Sequence, residues 1–241
     1  MSDQITYTRV LLKISGESLS REGEFGIHPD ELRQIAGEIR LATQIGSQIA
    51  LVVGGGNIIR GARLAKSGML QRATADYMGM LGTVINALAL RDCLTSSGVD
   101  SRVMSALEVR SVAEPFIRGR AIRHLEKGRV VILAAGTGNP YFSTDTCAAL
   151  RAAELGCEVL LKATKVDGVY TADPAKDSSA TRYDRLTFKE AIDRELGIMD
   201  TSAFAMCREN SIPIVVFDFK KSGNIRRVVS GERVGTLVSP T

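Results

Sequence analysis

An α/β fold, with a mostly parallel sheet covered by helices on both faces, is predicted by three observations. Short β-branched runs alternate along the chain with longer stretches of helical periodicity, the signature of repeated strand and helix units. Runs such as Val130-Val-Ile-Leu-Ala134 are apolar at every position, which suits a strand buried on both sides. The 241 residues, 44% of them hydrophobic, supply one sizeable core, and division by ~150 residues per domain forces no second. A single domain, 1–241, is expected.

The first strand, Val10–Ile14, is apolar except for Lys13. A helical pattern covers Pro29–Ile45, and the second strand, Ile49–Val53, empties into Gly54-Gly55-Gly56. From Ala73 to Ser97 the chain is apolar around much of a helix's circumference, with Gly79 and Gly82 small enough to let another backbone approach. Such a helix is either a central core element or a subunit contact. Val99–Met104 and Val130–Ala134 are the third and fourth strands, separated by a basic helical segment, Arg118–Arg129, whose charges suit a solvated face. Helix Ser143–Leu155 leads to strand Glu158–Lys162. Thr171–Thr181, with its Asp-Pro and serines, is the most loop-like region. Helix Thr187–Leu196 and a segment Thr201–Asn210 capped by Asp200 precede strand Pro213–Phe217, and the tail Val228–Val238 is expected to add an edge strand.

Composition excludes several classes. The net charge of +4 is mild and the charges alternate in sign, so nucleic acid is not an implied partner. Four cysteines stand far apart with only His28 and His124 to join them, an unpromising zinc set. No apolar run approaches the ~18 residues a bilayer requires, and no leader pattern is read, so a cytoplasmic location with free thiols is expected. Histidine as general base is disfavoured by the placement of His28 and His124.

In open α/β sheets ligands collect at the carboxyl ends of strands. Four polar clusters fall there: Lys13-Ile14-Ser15-Gly16, Gly54–Gly56, Gly136–Asp145 and Lys162–Tyr170. A strand that empties into bare glycine amides ahead of a helical turn suits a phosphate, although a tight turn needs the same glycines. Lys13 interrupts an apolar strand, which is costly unless an anion meets it or the chain snorkels at an edge. Ser143-Thr144-Asp145 is placed to cap the helix behind it, and Asp145 to orient lysines or hold magnesium through water. Gly-Lys occurs nowhere, so the chain contains no Walker A loop, and no G-x-G-x-x-G follows a strand.

Lys13–Gly16, Val53–Asn57 with Arg60-Gly61, Asp76-Tyr-Met-Gly-Met-Leu81, Thr137–Thr144 and Lys162–Pro174 together resemble the bacterial UMP kinases of the amino acid kinase superfamily. The resemblance covers nearly the whole chain. It implies a three-layer αβα sandwich around a mixed, mostly parallel sheet, not a P-loop fold. It also implies a homohexamer that transfers the γ-phosphoryl of ATP to UMP with Mg²⁺, activated by GTP and inhibited by UTP. Lys13, Ile14, Ser15 and Gly16 match the ATP-phosphate segment, with Gly56 and Arg60 facing ATP phosphates or the transferred group. Thr164, Tyr170 and Asp173 match positions around the adenine nucleotide. Gly55 and Asp76 match UMP-binding positions, and Thr137, Gly138, Asn139, Pro140, Tyr141, Phe142, Ser143 and Thr144 the loop around UMP. The implied catalytic set is Lys13 and Lys162 flanking the γ-phosphate with Asp145 organising them, Lys162 being preferred to Lys165. Asp200 resembles another family acid. Arg91, Arg102 and Arg129 are the matching candidates for an effector site near subunit contacts, where Thr95 replaces a histidine of some relatives. Acyl-phosphate-forming kinases of the same superfamily, and a nucleotide-binding regulator without transfer chemistry, are the alternatives.

Overall fold

The computed structural model describes residues 5–60 and 68–240, so Gly61 lies outside the described residues. In chain order the elements are β1 (Arg9–Ile14), α1 (Pro29–Gln44), β2 (Gln48–Val53), α2 (Arg72–Ser96), β3 (Ser101–Ser105), β4 (Glu114–Pro115), α3 (Arg118–Glu126), β5 (Val130–Ala134), α4 (Thr144–Leu155), β6 (Val159–Thr164), β7 (Arg185–Thr187), α5 (Phe188–Asp193), α6 (Thr201–Glu209), β8 (Ile214–Asp218), α7 (Asn224–Val229) and β9 (Thr236–Ser239). The strands form one sheet in the order β4-β3-β5-β2-β1-β6-β8-β9-β7, parallel throughout except for the antiparallel β8–β9 pair. This is the mixed, mostly parallel α/β sheet that the sequence predicts.

Local chemistry sets the helix starts. His28 caps α1, its Nδ1 accepting from Asp30 N, with Pro29 at the first position. Thr187 and Glu190 form a reciprocal capping box on α5. Gly156, in the left-handed region at φ 65°, ends α4.

Two apolar clusters lie on opposite faces of the sheet. Val10, Leu12 and Ile14 of β1 join residues of α1, α2 and α7 on one face, while Leu11 joins those of α3, α4 and α6 on the other. Burying each such side chain contributes roughly 1.5–3 kcal/mol. By the two-residue alternation of a strand, Lys13 points to the same face as Leu11, under α4.

The tail differs from expectation. Val228 and Val229 end helix α7, and β9 is an inner strand between β8 and β7 rather than an edge. Its outer neighbour β7 has only three residues, Arg185–Thr187, too short to show a two-residue alternation in the sequence. The third strand is likewise displaced, to Ser101–Ser105. No described helix is long and apolar enough to cross a membrane.

Helix α2 is buried along Ala75, Met80, Thr83, Ala87, Leu90 and Leu94, while Tyr77, Leu81 and Ile85 are exposed. Of the two small residues expected to admit a backbone, Gly82 does so, a Cβ there meeting Gly55 O at 3.3 Å, whereas one on Gly79 would meet nothing within 4 Å. A Cβ on Gly55 would stand 2.5 Å from Gly79 O and 3.1 Å from Thr83 N, whereas one on Gly56 would meet nothing closer than Glu17 Cγ at 3.9 Å. Gly55→Ala should therefore destabilise the fold by about 1–3 kcal/mol, the range for overpacking against atoms that cannot yield. Gly56→Ala should be close to neutral in the same calorimetric comparison, and equal losses would contradict the packing described.

Candidate active site

Strands β1 and β6 pair in parallel with Lys13 directly opposite Lys162. Two lysines in register on neighbouring strands project from the same face about one strand spacing apart. Helix α4 crosses that face. Ser143 caps it, accepting from Asp145 N at 3.0 Å and Thr146 N at 3.1 Å, and this leaves the Asp145 carboxylate free for another task. That carboxylate lies between the lysines: Lys13 Nζ is 2.8 Å from Oδ1 and Lys162 Nζ 2.7 Å from Oδ2. Lys162 also donates to Ile198 O at 2.5 Å.

Asp200 ties a second helix into the cluster. It caps α6 by accepting from Ala203 N at 2.9 Å, and it also accepts from Ser143 Oγ and Thr146 Oγ1. The N-termini of α4 and α6 therefore share one carboxylate, and their positive ends reinforce the field near the lysines.

Charge explains what the cluster is suited to receive. Lys13 is buried, and two ammonium groups share the Asp145 carboxylate in a partly dry place, with the Asp200 carboxylate acting on Lys162 from behind it. Burial acts to raise the Asp145 pKa, but the ammonium groups of Lys13 and Lys162 outweigh it and hold the carboxyl below its ordinary range. Burial pulls the Lys162 pKa down, opposed by Asp145. A phosphate oxygen arriving here would relieve both lysines.

A cleft opens on each side. Gly55, Gly56, Asp76, Thr137, Asn139, Phe142, Ser143 and Thr144 line the first, together with Ile59, Ala75, Gly79, Met80, Thr83 and Gly136. Seven of these cleft residues are ones that the family resemblance implies for UMP, Gly56 being expected on the ATP side. Of the other three expected there, Gly138 packs on Ala106, Pro140 is half-buried in the turn, and Tyr141, exposed at φ 73°, donates its amide to Asp76 Oδ2 at 2.8 Å. Asp76 is also held by Arg72 Nε, 2.9 Å from each of its oxygens.

Lys162, Thr164, Tyr170 and Asp173 line the second cleft with Gly168, Pro174, Gly197 and Ile198. Within it Tyr170 donates to Asp167 Oδ1 at 2.6 Å and Thr164 Oγ1 donates to Val166 O at 2.6 Å. Lys165 is exposed and takes no part in the lysine cluster. Ile14 ends β1, and Ser15 and Gly16 open a short 3-10 helix pressed against Gly54, where a Gly16 Cβ would meet Gly54 O at 2.6 Å. Arg60 is turned to Glu17 Oε1, 2.8 Å away, and stacks over Phe25.

The three arginines expected at an effector site lie elsewhere, around β3. Arg102 and Arg129 share Asp100, and Arg91 pairs with Asp92 at 2.9 Å. Arg91 and Arg102 line one shallow depression with Arg110, which Arg129 does not join. Cys147, Cys157 and Cys207 are buried, and burial raises their thiols to about 11, 12 and 12, which leaves them inert as nucleophiles.

Sequence reasoning missed the carbonyl of Ile198, which carries no side-chain signal, and Thr83, whose hydroxyl is one among many on a helix. Its neighbour Gly82 was the usable clue, since a small residue on α2 marks where the Gly55 loop approaches.

With Asp145 neutralised in Asp145→Asn, burial acts on Lys162 with less opposition, so its ammonium should lose its proton at lower pH than in the wild type. A pH titration of the lysine side-chain nitrogens by NMR checks this, and an unchanged or higher Lys162 midpoint would contradict it.

The profile of the amino acid kinase family matches residues 8–218. The UMP kinase of Bacillus anthracis is 39% identical with a TM-score of 0.94, over 97% of this chain and 96% of that one. For the UMP kinase of Ureaplasma parvum the values are 36% and 0.90, over 96% and 98%. The uridylate kinase of Archaeoglobus fulgidus is 31% identical with a TM-score of 0.73, over 95% and 99%. The chain belongs to the amino acid kinase family, and its likeness within that family is to the UMP kinases.

Proposed function

We propose that this protein transfers the γ-phosphoryl group of ATP to UMP. The observation that carries the reading is the buried Lys13–Asp145–Lys162 cluster, two ammonium groups on one shared carboxylate, placed between two clefts. Its solved relatives named UMP kinase support the acceptor. ATP would occupy the cleft lined by Thr164, Tyr170 and Asp173, with Lys13–Gly16, Gly56 and Arg60 toward its phosphates. UMP would occupy the cleft of Gly55, Asp76 and Thr137–Thr144.

Phosphoryl transfer asks little covalent chemistry of a protein, and positioning with charge stabilisation supplies most of the rate. Lys13 and Lys162 would meet charge spreading over the transferred oxygens, and Asp145 would keep both ammonium groups aimed there. Among the described residues no cluster of three His, Cys, Asp or Glu side chains is built to hold a metal, and Asp145 is engaged by both lysines. That donor set fits Mg²⁺ carried on the nucleotide phosphates, with Asp145 reaching it through water. The ion would add neutralising charge.

UTP inhibition fits the same reading, because the pyrimidine cleft can admit it. GTP activation would use the arginines around β3, Arg91, Arg102 and Arg129. The exposed apolar stripe Tyr77, Leu81 and Ile85 on α2 supports a subunit contact, and the family resemblance implies that the assembly is a homohexamer. A cytoplasmic location completes the reading.

A coupled assay across nucleoside monophosphates with ATP and Mg²⁺ tests it, and turnover of acetylglutamate or carbamate in place of UMP would move the assignment to an acyl-phosphate kinase. Lys13→Ala should lower kcat roughly 10²–10³-fold, as removal of a preorganised charge stabiliser does; near-normal turnover would refute its role. Asp76→Ala should weaken UMP far more than ATP in paired binding titrations, and equal losses would count against the cleft assignment.

A further inference from the structure

Thr83 lines the first cleft, yet its hydroxyl is committed to the protein. It is 3% exposed, and Oγ1 donates to Met80 O at 2.7 Å and accepts from Ala135 N at 2.7 Å. The residue it grips is in an uncommon conformation. Ala135 is fully buried with φ 62° and is followed by Gly136 at φ 57°. The chain thus leaves β5 through two successive left-handed residues, the first of which carries a Cβ and is strained there. Sheet pairing has already ended, at Leu133 toward β2 and Ala134 toward β3. The hydroxyl of Thr83 therefore satisfies a buried amide that has left the ladder. From Ala135 the loop closes a turn, Gly138 N donating to Ala135 O at 3.0 Å, and runs on to Thr137 and Asn139 in the cleft. Asn86, almost one turn along α2, holds Gly54 O at 2.7 Å in the same manner, so one face of the helix sets both loops.

We propose that Thr83 is a positioning residue for the acceptor nucleotide: by accepting the Ala135 amide it selects the left-handed start of the Gly136–Thr144 loop. This rests on UMP being the acceptor in that cleft. Thr83→Val keeps shape and removes the acceptor oxygen, while Thr83→Ser keeps the oxygen. Thr83→Val should raise KM for UMP about tenfold to hundredfold, the scale of a lost buried hydrogen bond and a misplaced loop, with KM for ATP little changed. Thr83→Ser should restore KM for UMP to near the wild-type value. Equal rises in both KM values, no rise, or no rescue by serine would overturn the proposal.

Hydrogen exchange on the unmodified protein gives a check that needs no variant: the Ala135 amide should exchange slowly without nucleotide, and fast exchange would overturn the proposal. Wild-type enzyme that turns over UMP alongside an indifferent Thr83→Val refutes the role of Thr83 alone. Wild-type enzyme that ignores UMP refutes the acceptor reading, and with it the acceptor named here.

Discussion

The structure is organised around two ammonium groups that share one buried carboxylate at the carboxyl end of the sheet, with the Asp200 carboxylate behind Lys162. Taking three charges from water is costly, and the attraction within the cluster offsets that cost only while all three stay aligned. Alignment comes from outside the cluster. The β1–β6 register places the lysines side by side, Ser143 takes over the capping of α4 so that Asp145 can face them, and Ile198 accepts a further Lys162 hydrogen bond. Loss of the β1–β6 register would pull the two lysines out of line with Asp145. Two ammonium groups that share one carboxylate keep donors to spare, and these make the site receptive to an anion.

A second constraint concerns backbone contact. The turns after β1 and β2 touch each other and α2 so closely that Gly16 and Gly55 have no room for a side chain. Such packing leaves main-chain amides near the cleft while excluding side chains that would fill it. Between Asn57 and Asn86 a reciprocal pair of amide hydrogen bonds, 2.7 and 3.1 Å, fixes the same turn from beneath. Both side chains are almost fully buried and fully partnered, so the pair specifies one loop geometry without leaving an orphaned polar group.

Much of the fold was legible because periodicity reports burial. The inner strands β1, β2, β5, β6 and β8 are apolar at nearly every position, a pattern that only a doubly covered sheet explains. The short edge strands β4 and β7 were not legible, since two or three residues carry no period, and neither was the reversal that puts β9 inside the sheet. Within the site, Lys13 announced itself as a cation in an apolar strand. Asp145 was ambiguous, because a carboxylate at a helix start reads equally well as a cap.

By itself, then, the amino-acid order determined the alternation of strands and helices, the glycine turns at strand ends and the identity of the charged residues near them. These are local properties, set by side-chain polarity and backbone freedom over a few residues. Only the tertiary structure decided that Lys162 rather than Lys165 meets Asp145, that Ser143 rather than Asp145 caps α4, and that Thr83 satisfies Ala135. Each of those depends on strand register or on how one helix crosses the sheet, and such long-range geometry is set by the packing of the whole core rather than by any single segment.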